Sequence, residues 1–134
     1  MKKKILALII VTLFSTNAQA DASYECIADL VSGLHHDENR DNWKQTNFLP
    51  GERFAINEQR KNVYAVKSLN SGGNWSVICT ARADLGDDSF SCTSGTNQFH
   101  FNRKLLRFTS FRYFGYWNGS TDSLSISIGQ CFPN

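Results

Sequence analysis

Four cysteines, Cys26, Cys79, Cys92 and Cys131, follow a stretch that reads as an export signal, and together these features constrain the chain most. Lys2, Lys3 and Lys4 form the charged start, residues 5–14 an apolar run, and Ala18-Gln19-Ala20 a small-x-small cleavage site, so residues 1–20 read as a signal peptide. The apolar run is too short to span a bilayer as a helix. An even cysteine count in an oxidising compartment makes two disulfides the expectation. Four cysteines allow three pairings. Cys26–Cys131 with Cys79–Cys92 is favoured: the second pair flanks a polar, glycine-containing stretch from Thr80 to Ser91 that reads as a hairpin tip, and the first ties the opening strand to the last. In the chain-entropy picture a loop of about 14 residues is worth ~3 kcal/mol and one of about 106 residues ~4.7 kcal/mol. Those sums rival the ~5–15 kcal/mol stability of a whole domain. The spacings hold no Cys-x2-Cys pair and no histidine near a cysteine, so no zinc or other metal site is expected.

Cleavage after Ala20 leaves residues 21–134 of the 134-residue chain, enough for one domain. It also removes three lysines, taking Lys+Arg from 14 to 11 against 12 Asp+Glu, for a mature charge near −1. The basic balance belongs to the signal, so nucleic acid is not an expected partner. Nor is stable membrane insertion expected after cleavage.

The mature segment reads as β. Leu124, Ile126 and Ile128 alternate with serines, giving a strand with an apolar and a polar face; Phe99 and Phe101 alternate with His100 and Asn102. Phe54 and Ile56 mark another strand, and Tyr24–Ser32 an opening one that carries Cys26. Residues 63–69 and 75–80 flank the turn signal Asn70-Ser71-Gly72-Gly73-Asn74. Residues 106–117 are rich in aromatic and β-branched side chains, and Asn118-Gly119 is a hairpin dipeptide. Gly33–Pro50 is the longest irregular candidate, a loop over one end or a short helix. No stretch carries a capped helical stripe. The expected fold is an all-β, closed or nearly closed antiparallel barrel of about seven or eight strands, since closure removes the sheet edges that invite aggregation.

Catalytic patterns are missing from this text. There is no nucleophile elbow, P-loop, G-x-G-x-x-G or H-E-x-x-H. His35 and His36 are adjacent, so on an extended chain they point to opposite sides and chelate poorly together. Asp84, Asp87 and Asp88 crowd one short stretch, but their spacing does not match an EF-hand and reads as a solvated acidic tip. The expectation is a protein that is not an enzyme and needs no cofactor. The aromatics point elsewhere. Phe108, Phe111, Tyr113, Phe114, Tyr116 and Trp117 fall within ten residues, interleaved with Arg107 and Arg112, so some of them must face outward. Trp43, Tyr113, Tyr116 and Trp117 are the candidate contact residues, with Asp84, Asp87 and Asp88 as candidate charges.

Several segments resemble an uncharacterised family of small secreted bacterial proteins: Tyr24-Glu25-Cys26-x-Ala28-Asp29 with Gly33; Trp43-Lys44-x-x-x-Phe48; the run from Phe99 through Asn102 and Lys104 to Leu106-Arg107-Phe108; Gly115-Tyr116; and Ile126-x-Ile128-Gly129-x-Cys131. The resemblance spans most of residues 21–134 and implies a class without catalytic residues. In architecture the chain is also loosely similar to calycin-type barrels, the lipocalins and the small periplasmic lysozyme inhibitors. The expected function is that of a periplasmic or secreted binding protein for an unknown protein or a small apolar ligand. The alternative is an inhibitor of a host hydrolase, a lysozyme or protease, whose warhead is the Thr80–Ser91 loop with acidic residues facing a basic cleft. A small hydrolase ranks last.

Overall fold

In a strand, successive side chains point to opposite faces, so a barrel needs a set of strands that all turn one face inward. The computed structural model describes residues 22–70, 76–80, 86, 88–113 and 115–134. Among these, nine strands follow one another: β1 (Ser23–Asp37), β2 (Asn42–Phe48), β3 (Arg53–Arg60), β4 (Val63–Ser68), β5 (Ser76–Thr80), β6 (Ser89–Ser94), β7 (Asn97–Asn102), β8 (Arg107–Arg112) and β9 (Leu124–Pro133). A 3-10 turn, Tyr116–Asn118, precedes β9. Eight strands pair antiparallel in the order β5-β4-β3-β1-β9-β8-β7-β6, and β2 pairs with the second half of β1. The result is an all-β, nearly closed eight-stranded barrel. Cys79–Cys92 joins β5 to β6 across the place where the ladder ends, and Cys26–Cys131 joins directly opposed residues of β1 and β9. Both expected bridges are formed.

β1 changes neighbours partway along. Its first half, Ser23–Ile27, pairs with β3, and from Val31 onward it pairs with β2. A bulge between Ala28 and Leu30 marks the change. Residues 49–52 bridge the gap there: Ala28 N–H donates to the Glu52 carbonyl at 2.8 Å, and Gly51 N–H to the Ala28 carbonyl at 3.1 Å. Gly51 has a φ of 107°, a left-handed backbone that glycine adopts without a Cβ penalty. The registers then define two ends. Asp37, Arg112, Leu124 and Ser68 lie toward the hairpin end; Ser23, Arg107, Pro133 and Thr80 toward the end bearing the chain's C-terminus.

Aromatic rings fill the middle of the barrel. Phe54, Phe99 and Phe108 form a triad with centroid separations of 5.0–5.3 Å. Tyr64 stacks on Phe90 at 4.6 Å, and Phe101 meets Phe90 and Tyr24. The six rings Phe54, Tyr64, Phe90, Phe99, Phe101 and Phe108 are 0–3% exposed. Pairs of this kind add ~0.5–1.5 kcal/mol each beyond the area they bury.

Three sequence expectations need correction. Gly33–Pro50 is largely strand: it supplies the last third of β1 and all of β2. Residues 106–117 are strand only as far as Arg112. The inward face of β9 is Ser127, Gly129 and Cys131, whereas Ile126 and Ile128 face out at 40% and 45% exposure. The reason is room. A Cβ on Gly129 would lie 2.7 Å from a Phe108 ring carbon and 2.0 Å from the Ile27 carbonyl oxygen. The rings contributed by β3, β7 and β8 leave β9 space only for small inward residues, and volume overrides polarity. The expected signal peptide, the turn after Asn70, and Trp75, Asp84, Asp87 and Phe114 lie outside the described residues.

Candidate functional site

The hairpin end is built differently from the middle. Ser68, Ser110 and Ser127, the buried polar residues among those described, all lie toward it. Above them the lumen opens into a mouth of about 290 Å³ lined by Val31, Phe48, Glu52, Arg112, Ser123 and Ser125. Val31 and Phe48 face each other across the β1–β2 ladder and form the apolar wall. Ser127, 2% exposed, donates its hydroxyl to Glu52 Oε2 at 2.9 Å and so anchors the carboxylate over the floor. Arg112 ends β8 on the inward parity of Phe108 and Ser110, opposite Ser125. The mouth thus holds one anion and one cation that form no ion pair with each other.

Beside the mouth stands an aromatic cluster. Trp43, on β2, meets Tyr116 edge-on at 5.7 Å and His36 edge-on at 5.4 Å. Tyr116 and Trp117 are 67% and 68% exposed. The loop carrying them is pinned by short-range bonds: Ser120 N–H to the Gly115 carbonyl at 3.1 Å, and Asp122 N–H to Ser120 Oγ at 3.1 Å. Gly115 is buried against it; a Cβ there would sit 2.1 Å from the Asp122 carbonyl oxygen and 3.2 Å from the Trp43 ring. Ser123 Oγ at the loop's end lies 3.1 Å from His35 Nδ1. Tyr113 hangs on the same end, its hydroxyl donating to the Gly95 carbonyl at 3.3 Å and its N–H to the Thr96 carbonyl at 3.2 Å. It also borders an apolar groove of about 330 Å³ on the outer wall, with Leu34, Phe111, Leu124 and Ile126.

The candidate contact residues therefore gather: Trp43, Tyr113, Tyr116 and Trp117 all belong to one end. Asp88 does not. It precedes β6 at the opposite end, half-exposed, with Arg103 Nη2 at 4.0 Å and its carbonyl accepting from Arg103 N–H at 2.7 Å. His35 and His36 face different partners, Ser123 and Asp41 respectively, the latter at 3.2 Å. The Lys44 ammonium bonded to Asp37 holds that carboxyl below its ordinary range. Glu52 and Ser127 escaped the sequence reading. Glu52 sits in an irregular turn with no period to reveal it, and Ser127 looked like the solvent face of its strand. A Pro50-Gly51 turn directly ahead of a lone carboxylate was the available signal for the first.

Comparison with protein-family models, curated proteins and solved structures finds no match for this chain.

Proposed function

We propose that the protein is a noncatalytic binding module whose working surface is the hairpin end. One observation carries the reading: the lumen is occupied by the protein's own rings, while Tyr116 and Trp117 stand two-thirds exposed on a loop held in place from beneath. Single apolar side chains in water are ordinary, but neighbouring aromatic ones that form a patch mark contact surfaces, and Trp and Tyr are the side chains that dominate contact energies. A loop fixed before contact loses little conformational freedom on binding. The two disulfides support export to an oxidising compartment, and we assign residues 1–20 to a cleaved signal on that ground together with their sequence. Among the described residues no helix is long and apolar enough to cross a membrane.

The inhibitor reading draws support from the Cys79–Cys92 bridge, which joins the two strands at either end of the Thr80–Ser91 stretch of sequence. It is the weaker of the two, because Arg103 beside Asp88 offsets the charge that would meet a basic cleft. The two readings separate by paired variants. Tagged wild type should retain a partner from periplasmic or culture-supernatant extract that the Tyr116→Ala/Trp117→Ala protein loses and the Asp88→Asn protein keeps, with melting temperatures unchanged. Loss with Asp88→Asn and retention by the double alanine variant would reverse the assignment.

A further inference from the structure

We infer that the mouth of the barrel is a binding site for a small zwitterion, a molecule carrying an ammonium and a carboxylate a short distance apart, as in a free amino acid or a short unblocked peptide. The inference rests on the hairpin end being the working end and names the chemistry that end takes.

The mouth holds both charges that such a ligand needs. Glu52 is anchored by one oxygen to the buried Ser127 hydroxyl, and its other oxygen has no hydrogen-bond partner among the described residues. A carboxylate held this way is an oriented acceptor for an ammonium. Arg112 has no side-chain partner among the described residues, and its planar fork matches a carboxylate bidentately. Two opposite charges lining one concavity would ordinarily collapse onto each other. Here they are tied to different supports, Glu52 to the β1 bulge through its backbone and Arg112 to the end of β8. Ser123 and Ser125 add hydroxyls, and Val31 with Phe48 supplies an apolar wall for a side chain. The volume of about 290 Å³ admits an amino acid or dipeptide and excludes a folded chain. The charges come from separate elements, so a ligand with only one charge meets half the site and leaves the other half unpaired.

Calorimetric titration of the folded, oxidised protein with alanine, alanylalanine, N-acetyl-alanylalanine and alanylalanine amide tests this. At least one of the two uncapped probes, alanine or the dipeptide, should bind saturably, and which of them binds tighter separates the free amino acid from the peptide source. Removing the ammonium by acetylation, or the carboxylate charge by amidation, should weaken binding at least tenfold. Glu52→Gln should weaken the uncapped probe at least tenfold and leave the acetylated one unchanged. Arg112→Gln should do the same toward the amide. Shifts in two-dimensional NMR spectra should centre on Val31, Phe48, Ser123 and Ser125. Absence of binding by both uncapped probes, or binding that the caps and the two variants leave unaltered, would overturn the inference. Either result leaves the Tyr116/Trp117 test standing, since that test reads a different surface at the same end.

Discussion

Gly33 and Gly129 show how tightly single positions are specified. Gly33 lies in β1 opposite Ser125, and a Cβ there would sit 1.9 Å from the Leu124 carbonyl oxygen, a backbone atom that cannot swing aside. Gly33→Ala should cost about 3 kcal/mol or more in chemical denaturation, at the upper range for overpacking, while Gly119→Ala, which meets nothing within 4 Å, should lose only what its left-handed φ demands. Phe99→Ala should cost ~3–5 kcal/mol by opening a cavity in the ring triad, against a change within about 0.5 kcal/mol for Trp117→Ala. A large loss at Trp117 would make it structural and weaken its assignment as a contact residue. Tyr64 carries a pH signature. Burial pushes its hydroxyl above the ordinary value of 10.0, opposed by the neighbouring Arg103, whose Nη1 donates to it at 2.6 Å. The folded state therefore holds this proton more tightly than the unfolded chain. Its contribution is intact below pH 10 and falls as pH rises from there through the folded value. Denaturation midpoints between pH 8 and 11 should decline less steeply for Tyr64→Phe than for wild type; parallel curves would show that Tyr64 is not the group responsible.

At the scale of elements, the strands whose apolar residues recur with period two were legible from the text: Phe99 and Phe101 in β7, and Phe54 and Ile56 in β3, turn inward as alternation requires. β9 shows where that rule stops. Its isoleucines alternate perfectly and still face out, because the opposing Phe108 ring decides how much volume β9 can contribute. Alternation reports that a strand has two faces; only the packing partners determine which one is inside. β2 was illegible for another reason. Asn-Trp-Lys-Gln-Thr-Asn-Phe has no apolar period, and it is a strand through its pairing with β1, a nonlocal cause. The same dependence on neighbours predicts local behaviour at the seam. β5 and β6 share a disulfide and, among the described residues, no ladder. In the Cys79→Ser/Cys92→Ser protein, amide exchange should accelerate in β5 and β6 while β1 and β9 keep their protection. Equal acceleration everywhere would mean that the bridge supports the whole barrel and not the seam alone.

For the molecule as a whole, the covalent frame was the most legible part, since four cysteines have only three ways to pair. Cys26 and Cys131 stand 105 residues apart in sequence and face each other in the ladder. Cys26→Ser/Cys131→Ser should lose ~2–5 kcal/mol, most of it through the unfolded state, with the far-ultraviolet spectrum of the survivor unchanged. The candidate site was half legible. Trp43 lies seventy-odd residues before Tyr116 in sequence, and only the return of β9 along β1 brings the Gly115 loop onto β2. Residue type flagged both; their meeting is a product of topology. On the binding reading proposed above, a barrel whose interior is filled by its own rings would meet a partner on the outside, at the end that carries Tyr116 and Trp117. Placing a photoreactive amino acid at Trp117 in one protein and at Asp88 in another, then irradiating each in periplasmic or supernatant extract, tests this directly. Adducts to a defined partner from position 117 and none from position 88 are the predicted result; adducts from position 88 alone would contradict the account.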